Sequence, residues 1–341
     1  MKALVLEQAG PNPRLALRDL PVPQVGPGQV LVKVRACGLC YHDVLVMRGV
    51  LRRGVKDRLV LGHEVAGVVA EVGPEVTELQ PGDQVASIQT DACGICSRCV
   101  SGREHRCWDG EGIGHSIDGG FAEYMVLPAD MLVRVANHIS FEAASILANA
   151  CGTPYHAVKV RAGVRPGETV VVIGAGGGVG IHAIQIARIC GARVFGIELP
   201  GEKLDGVKEI GTDAALSADS DWAAEVLRLT GGAGAEKVIQ LVGGETYGPS
   251  FRCLAVGGRM VIIGSHAGSD LGVSGVDILA KEWEILGSRN VTKQELAEVA
   301  DLAARGEIRP VVSRTFAFEE LEEAHRLLRE GKIAGRGVVR I

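Results

Sequence analysis

"ETVVVIGAGGGVGIHAIQIARICGARVFGIEL", residues 168–199, opens on an apolar run, breaks at a cluster of glycines and resumes as an amphipathic stretch. Ile181, Ile184, Ala187 and Ile189 recur at near-helical spacing, and "ARVFGIEL" then reads as a second strand. Strand, glycine turn, helix and strand in that order form a βαβ unit, and a series of such units builds a parallel, doubly wound sheet. Gly174, Gly177 and Gly180 make G-x-x-G-x-x-G, with Gly178 and Val179 completing the turn. Glycines there allow a tight turn and let the backbone approach a pyrophosphate at the start of a helix. Glu198 closes the second strand, 18 residues beyond Gly180. A carboxylate in that place accepts hydrogen bonds from an adenosine ribose and repels a 2′-phosphate, so the pattern points to NAD(H) rather than NADP(H).

Outward from this stretch the rhythm continues downstream. "KVIQLVG", "RMVIIGS" and "WEILGS" are further apolar strands, with helical segments such as "DWAAEVLRLTGG" between them. Upstream, "QVLVKVRACG", "VAGVVAEVG", "GDQVASI" and "FAEYMVLP" are short β-formers separated by Gly, Pro and Asp. We therefore expect a β-rich domain over residues 1–148 and a nucleotide-binding domain over 149–290. A tail over 291–341, helix–strand–helix–strand, is expected to return to the first domain. The active cleft is expected at the carboxyl ends of the parallel strands, between the domains.

The bulk composition narrows the function. The chain has 341 residues, 47% hydrophobic and 23% charged, with a formal net charge of −5. That length suits two domains. Charge is mixed along the chain with no basic stripe, which argues against nucleic acid. No uninterrupted apolar run reaches about 18 residues, so no membrane span is expected. Nine cysteines without an export signal suggest a reducing compartment, the cytoplasm, where clustered cysteines bind metal more often than they form disulfides.

Two windows carry that chemistry. In "CGICSRCVSGREHRC", Cys93, Cys96, Cys99 and Cys107 are spaced C-x2-C-x2-C-x7-C. Four thiolates on one loop can close a tetrahedral shell around zinc, which leaves no vacancy for substrate and makes the loop structural. An iron–sulfur cluster is the weaker rival at this spacing. The second window joins "CGLCYHDV", residues 37–44, to "LGHEVAGVVAEVG", where His63 and Glu64 stand beside a glycine-rich strand. A Cys and a His from separate loops, with a third ligand, make a catalytic zinc site with an open fourth position.

In order along the chain, "CGLCYHD", "GHEVAGVVAEVG", the four-cysteine loop, "TPYHA", "GGGVGIHAIQIA", "GGRMVIIG" and "GKIAGRGVVRI" resemble the zinc-dependent medium-chain alcohol dehydrogenase superfamily. The resemblance implies a GroES-like catalytic domain and a Rossmann domain. It makes Cys40, the cysteine followed after two residues by Asp43, a metal ligand, with Cys37 a neighbour outside the shell. His63 becomes the second ligand, Asp43 the group that orients it, and Glu64 a carboxylate close to the metal and counted with its ligands. His42 stands where the family often has Ser or Thr passing the substrate proton outward, and a histidine can do the same near neutral pH. For the third ligand the family register points to Asn149, whereas Cys151 is the better zinc donor and is favoured on that ground. Lys203 fits the slot that supports the adenosine. Ile263, Gly264 and Ser265 occupy the strand end facing the nicotinamide, and Ser288 and Arg289 the next one.

The reading is an NAD(H)-dependent zinc alcohol dehydrogenase or carbonyl reductase acting on a small molecule, with no nucleic-acid or membrane partner, and forming a homo-oligomer, dimer or tetramer. An enoyl- or acryloyl-CoA reductase of the same superfamily is the first alternative, since hydride addition to an alkene does not require a catalytic zinc. A nucleotide-binding redox sensor without catalysis is the second. The substrate pocket is expected to draw on "MRGVLRRGVKDRLV" (47–60) and "GIGHSIDGG" (112–120).

Overall fold

A computed structural model describes residues 1–265 and 269–341. The chain divides into two compact units. The first comprises Met1–Gly152, Asn290–Gly306 and Val312–Ile341, and the second Thr153–Arg289 with Glu307–Val311. Among the described residues no helix is long and apolar enough to cross a membrane.

The first unit is β-rich. Its main sheet runs in the order Leu132–Arg134, Gln84–Ser87, Glu64–Val72, Gln29–Gly38, Arg336–Arg340 and Val312–Phe316, with Tyr124–Pro128 also pairing with Gln29–Gly38. The central strand alternates buried Val30, Val32, Val34 and Ala36 with polar Lys33 and Arg35, the period of a pleated strand with one face in the core. Its register sets the geometry that matters. Gly38 stands opposite Glu64 on one side and opposite Val338 on the other. A Cβ on Gly38 would come within 2.3 Å of a Glu64 carboxylate oxygen, so this strand end needs glycine to leave the carboxylate room.

The second unit holds a parallel sheet in the order Ala214–Ser217, Arg193–Glu198, Thr169–Ile173, Ala235–Gln240, Leu254–Ile262 and Glu284–Gly287. Strand order reverses between Thr169–Ile173 and Ala235–Gln240, the switch point of a doubly wound sheet. Val171, Ile173, Phe195, Ile197, Val238 and Met260 belong to its core. The continuous apolar run of Thr169–Ile173 follows from burial on both faces. The two-part architecture is the one expected from the sequence.

Candidate active site and metal centres

The central strand of the first unit ends at Gly38, and Cys40 caps the short helix Tyr41–Met47 in an extended conformation. Asp43, on the first turn, is fully buried and serves two partners. One carboxylate oxygen accepts the Cys40 backbone N–H at 3.3 Å, and the other faces His63 Nδ1 at 3.2 Å. Asp43 thereby fixes the cysteine and orients the imidazole together. With Nδ1–H donated to Asp43, the ligating lone pair of His63 is on Nε2, turned away from the carboxylate. Burial works against charge on both groups, but their mutual attraction wins. It draws Asp43 down to about 2, and with Cys40 it holds His63 well above its ordinary value.

Cys40 Sγ, His63 and the Glu64 carboxylate present ligand atoms within 4.8 Å of one another. Glu64 is buried and forms a two-point ion pair with Arg336, whose Nε lies 3.0 Å from Oε2. Burial pushes the Glu64 carboxyl up, while Arg336 and His63 pull it down. Arg336 comes from 272 residues further along the chain, and the sequence offered no partner for it.

Asn149 is the fourth member. Its carboxamide Nδ2 stands 2.8 Å from His63 Nε2 and 3.6 Å from Cys40 Sγ. Leu147–Cys151 is a π-helical turn in which the Cys151 N–H reaches the Ile146 carbonyl at 3.2 Å. Such widened turns shift side-chain register within a helix and recur at functional sites. Cys151 is fully buried, and burial pushes its thiol up. Cys37 is likewise fully buried with a raised thiol, packed where a Cβ on Gly62 would come within 2.8 Å of its sulfur. The His42 ring meets His63 edge-on at 4.9 Å between centroids, and His115 lies 5.5 Å beyond His42. His115 is therefore next to this cluster.

The four-cysteine loop is self-contained. Cys96 and Cys99 sulfurs are 3.5 Å apart, Cys96 and Cys107 3.9 Å, and Cys93 and Cys99 4.0 Å. A tetrahedron of thiolates at ~2.3 Å from zinc places sulfurs roughly 3.8 Å apart, so the spacing fits the ion. All nine cysteines are free thiols, which leaves the disulfide alternative unsupported. Backbone N–H groups of Trp108 and Cys99 point at Cys96 and lower its thiol to about 6, so one donor is ready as thiolate.

In the second unit the glycine loop follows Thr169–Ile173. Gly174 has φ +80°, and a Cβ on Gly180 would come within 2.2 Å of the Gly174 carbonyl, so both positions require glycine. Val179 caps the helix Gly180–Ile189. The Gly176 N–H donates to Glu198 at 2.9 Å, and the Leu199 N–H donates to its other oxygen at 2.9 Å. Gly176 also passes against Lys203, whose carbonyl would lie 2.7 Å from an added Cβ. His182 donates from Nδ1 to the Gly178 carbonyl at 2.6 Å and accepts the Val311 N–H at 2.9 Å. It ties the Gly177–Gly178 turn to the short 307–311 segment. Ile263 and Gly264 N–H groups both reach the Gln240 carbonyl, and Ser265 sits against Gly243. The Ser288 N–H donates to the Ile262 carbonyl at 2.9 Å, with Arg289 next in sequence.

Comparison with known proteins agrees with these two units. Residues 26–137 match the alcohol dehydrogenase GroES-like domain, and residues 178–305 match the zinc-binding dehydrogenase domain. An NAD-dependent alcohol dehydrogenase of Sulfurisphaera tokodaii is 36% identical, with 99% of each chain covered. The chain belongs to the zinc-binding alcohol dehydrogenase family. An acryloyl-coenzyme A reductase of the same organism is 32% identical over the full length of both chains. Among solved structures, that of an NAD-dependent alcohol dehydrogenase superposes with a TM-score of 0.96 at 36% identity, over the whole of both chains. The protein is thus an NAD-dependent oxidoreductase of this family and carries zinc, as the sequence led us to expect.

Proposed function

We propose that the enzyme interconverts alcohols with aldehydes or ketones at Cys40, His63 and Asn149, with Glu64 beside them. The carrying observation is convergence: a thiol sulfur and an imidazole lone pair, from separate segments, aim at one point that the Asn149 carboxamide borders. The donor set suits zinc, with one sulfur, one ring nitrogen and the carboxamide, whose oxygen becomes the donor on rotation of the amide. Zinc held there supplies a Lewis acid for the substrate oxygen, and NAD(H) supplies or takes the hydride. Asp43 keeps His63 in the ligating tautomer. Arg336 pairs with Glu64 beside the site and favours its charged form against the cost of burial. His42 moves the substrate proton at a ring nitrogen, its ring lying against His63. Cys151 stays outside the set in this reading, and Asn149 takes the third place.

Cys93, Cys96, Cys99 and Cys107 hold a structural zinc, since four donors close the shell and leave no open position. Gly174, Gly177, Gly178, Val179 and Gly180 receive the cofactor diphosphate. Glu198 and Lys203 take the adenosine, and Ile263, Gly264, Ser265, Ser288 and Arg289 the nicotinamide end. A carboxylate at Glu198 favours NAD(H) over NADP(H) by about tenfold or more. The edge strand Glu284–Gly287, with exposed Val276 and Leu279 on the preceding helix, supports a homo-oligomer. Nine free thiols support a cytoplasmic location.

Steady-state NADH oxidation against aldehyde and ketone panels, with metal content per chain, tests this reading. Carbonyl turnover with two zinc ions per chain is expected. One observation favours a second reading, reduction of an enoyl thioester: the neutral Asn149 replaces a second anionic ligand, so the metal is held less firmly. Full turnover of an enoyl-CoA by protein with metal only in the cysteine loop would decide for it.

A further inference from the structure

Residues 48–58, "RGVLRRGVKDR", hold five cations and one acid in a chain whose net charge is −5. All five cations are exposed. Lys56 is neutralised by Asp118 at 2.5 Å, whereas Arg48, Arg52 and Arg53 make no ion pair among the described residues. Unpaired guanidiniums gathered against the sign of the whole protein repel one another, and an anion relieves that cost.

The segment is anchored at the reaction centre. Arg48 is the C-cap of the helix that starts beside Cys40, ~12 Å along its axis. The His115 ring, next to His42, donates from Nε2 to the Arg53 carbonyl at 2.9 Å, and its own carbonyl accepts the Lys56 N–H at 2.9 Å. Arg52 is also pre-set: its Nε donates to the Gly49 carbonyl, and Gly49, at φ +66°, has no side chain to crowd the guanidinium. Exposed Tyr41 and Val50 supply apolar surface nearby in the chain.

We infer that Arg48, Arg52 and Arg53 receive the anionic end of the substrate, a phosphate or carboxylate carried on a tail on the order of 10 Å from the reacting carbon. Guanidinium forks suit either group, binding it through paired N–H donors. The inference rests on the Cys40–His63 cluster being the reaction centre, and it deepens the alcohol–carbonyl reading by naming the kind of substrate.

The test uses the full-length, zinc-loaded enzyme with three series of straight-chain aldehydes of graded length, ending in methyl, carboxylate or phosphate. An anionic end is expected to raise kcat/KM by about tenfold or more at matched length, an advantage that shrinks with added salt. Whether carboxylate or phosphate gains more identifies the tail. In R48Q/R52Q/R53Q the anionic-to-neutral ratio should fall to near one through KM. No preference in the wild type, a preference blind to salt, or a triple variant whose main defect is a raised KM for NADH would overturn the inference, the last by assigning these arginines to the cofactor. If no aldehyde is reduced, the alcohol–carbonyl reading fails, and calorimetric titration with an ω-phosphorylated alcohol still decides the inference. Tighter binding than the neutral alcohol, lost in the triple variant, supports it, and equal binding refutes it.

Discussion

The protein has two sulfur-bearing centres built on opposite plans. The Cys93–Cys107 loop draws four like donors from fifteen consecutive residues, partly open to solvent. The Cys40 centre draws one thiol, one imidazole, one carboxylate and one carboxamide from a helix cap, a strand start and a π-turn, and balances them with an arginine from the last strand. The first needs only its own loop to close. The second exists only when the sheet has registered Gly38 against Glu64 and Val338. A local centre can lend its binding energy to folding, whereas a centre assembled by the fold can spend specificity on chemistry.

The largest effect should separate the two. Cys99→Ala is expected to release one zinc per chain and lower the melting temperature by about 10 °C or more, because metal binding there is also folding free energy. Cys40→Ala should keep its melting temperature within a few degrees and lose about 10³-fold or more in carbonyl turnover. Metal analysis, calorimetry and NADH kinetics on the pair give the answer. Crossed results, with turnover lost selectively in the loop variant, would erase the distinction.

Next comes the ion pair behind the assembled centre. Arg336→Met leaves Glu64 buried without its partner and should cost about 3–5 kcal/mol in urea denaturation, with partial recovery in Glu64→Gln/Arg336→Met. A cost no greater than that of an exposed pair would mean that Glu64 takes up a proton and stays neutral.

These plans also explain what could be read in advance. The cysteine loop and the glycine turn are local patterns, so spacing alone pointed to their chemistry. Glu198 was legible because one strand and one helix fix its distance from Gly180. Ligand chemistry suggested a Cys–His pair across two windows, but the choice of Cys40 over Cys37 and the role of Asp43 emerged only through resemblance, since no local rule joins residues 40 and 63. Arg336 gave no signal at all, because its partner is set by strand order. Cys151 was favoured over Asn149 on donor chemistry alone, against the family register, for a different reason. A π-turn inserts a residue into the helical count, and periodicity at 3.6 cannot register it. His182 and His115 gave no sequence signal, because the carbonyls they hold belong to backbone, which carries no residue type.

The Asn149 position offers a way to bring the two centres closer together. Asn149→Cys supplies a second thiolate where the carboxamide now faces Cys40 and His63. Against a competing chelator, zinc at this centre should be retained about 10²-fold more tightly than in the wild type, with the cysteine loop unaffected. A cobalt-substituted sample should show stronger thiolate-to-metal absorption. Unchanged retention would place position 149 outside the shell and return Cys151 to contention.

The smallest effect lies deepest. His325 is buried with its ring edge-on to Phe121 at 5.5 Å, and neither ring nitrogen has a hydrogen-bond partner among the described residues. Burial holds its pKa below the ordinary histidine value, with the Asp43 carboxylate opposing and Arg329 assisting. As pH falls through about 6.5 the unfolded chain takes up a proton that the folded imidazole still refuses, so stability is intact above that pH and declines below it. The decline for one such group is at most about 1.4 kcal/mol per pH unit. His325→Phe fills the same space beside Phe121 and removes the titration. The urea midpoints of wild type and variant should differ little in their trend above pH 7. They should diverge by about 1 kcal/mol in the variant's favour by pH 5.5. Parallel curves across that range would show that His325 charges freely in the folded state, and that the interior behind Asp43 is wetter than its packing implies.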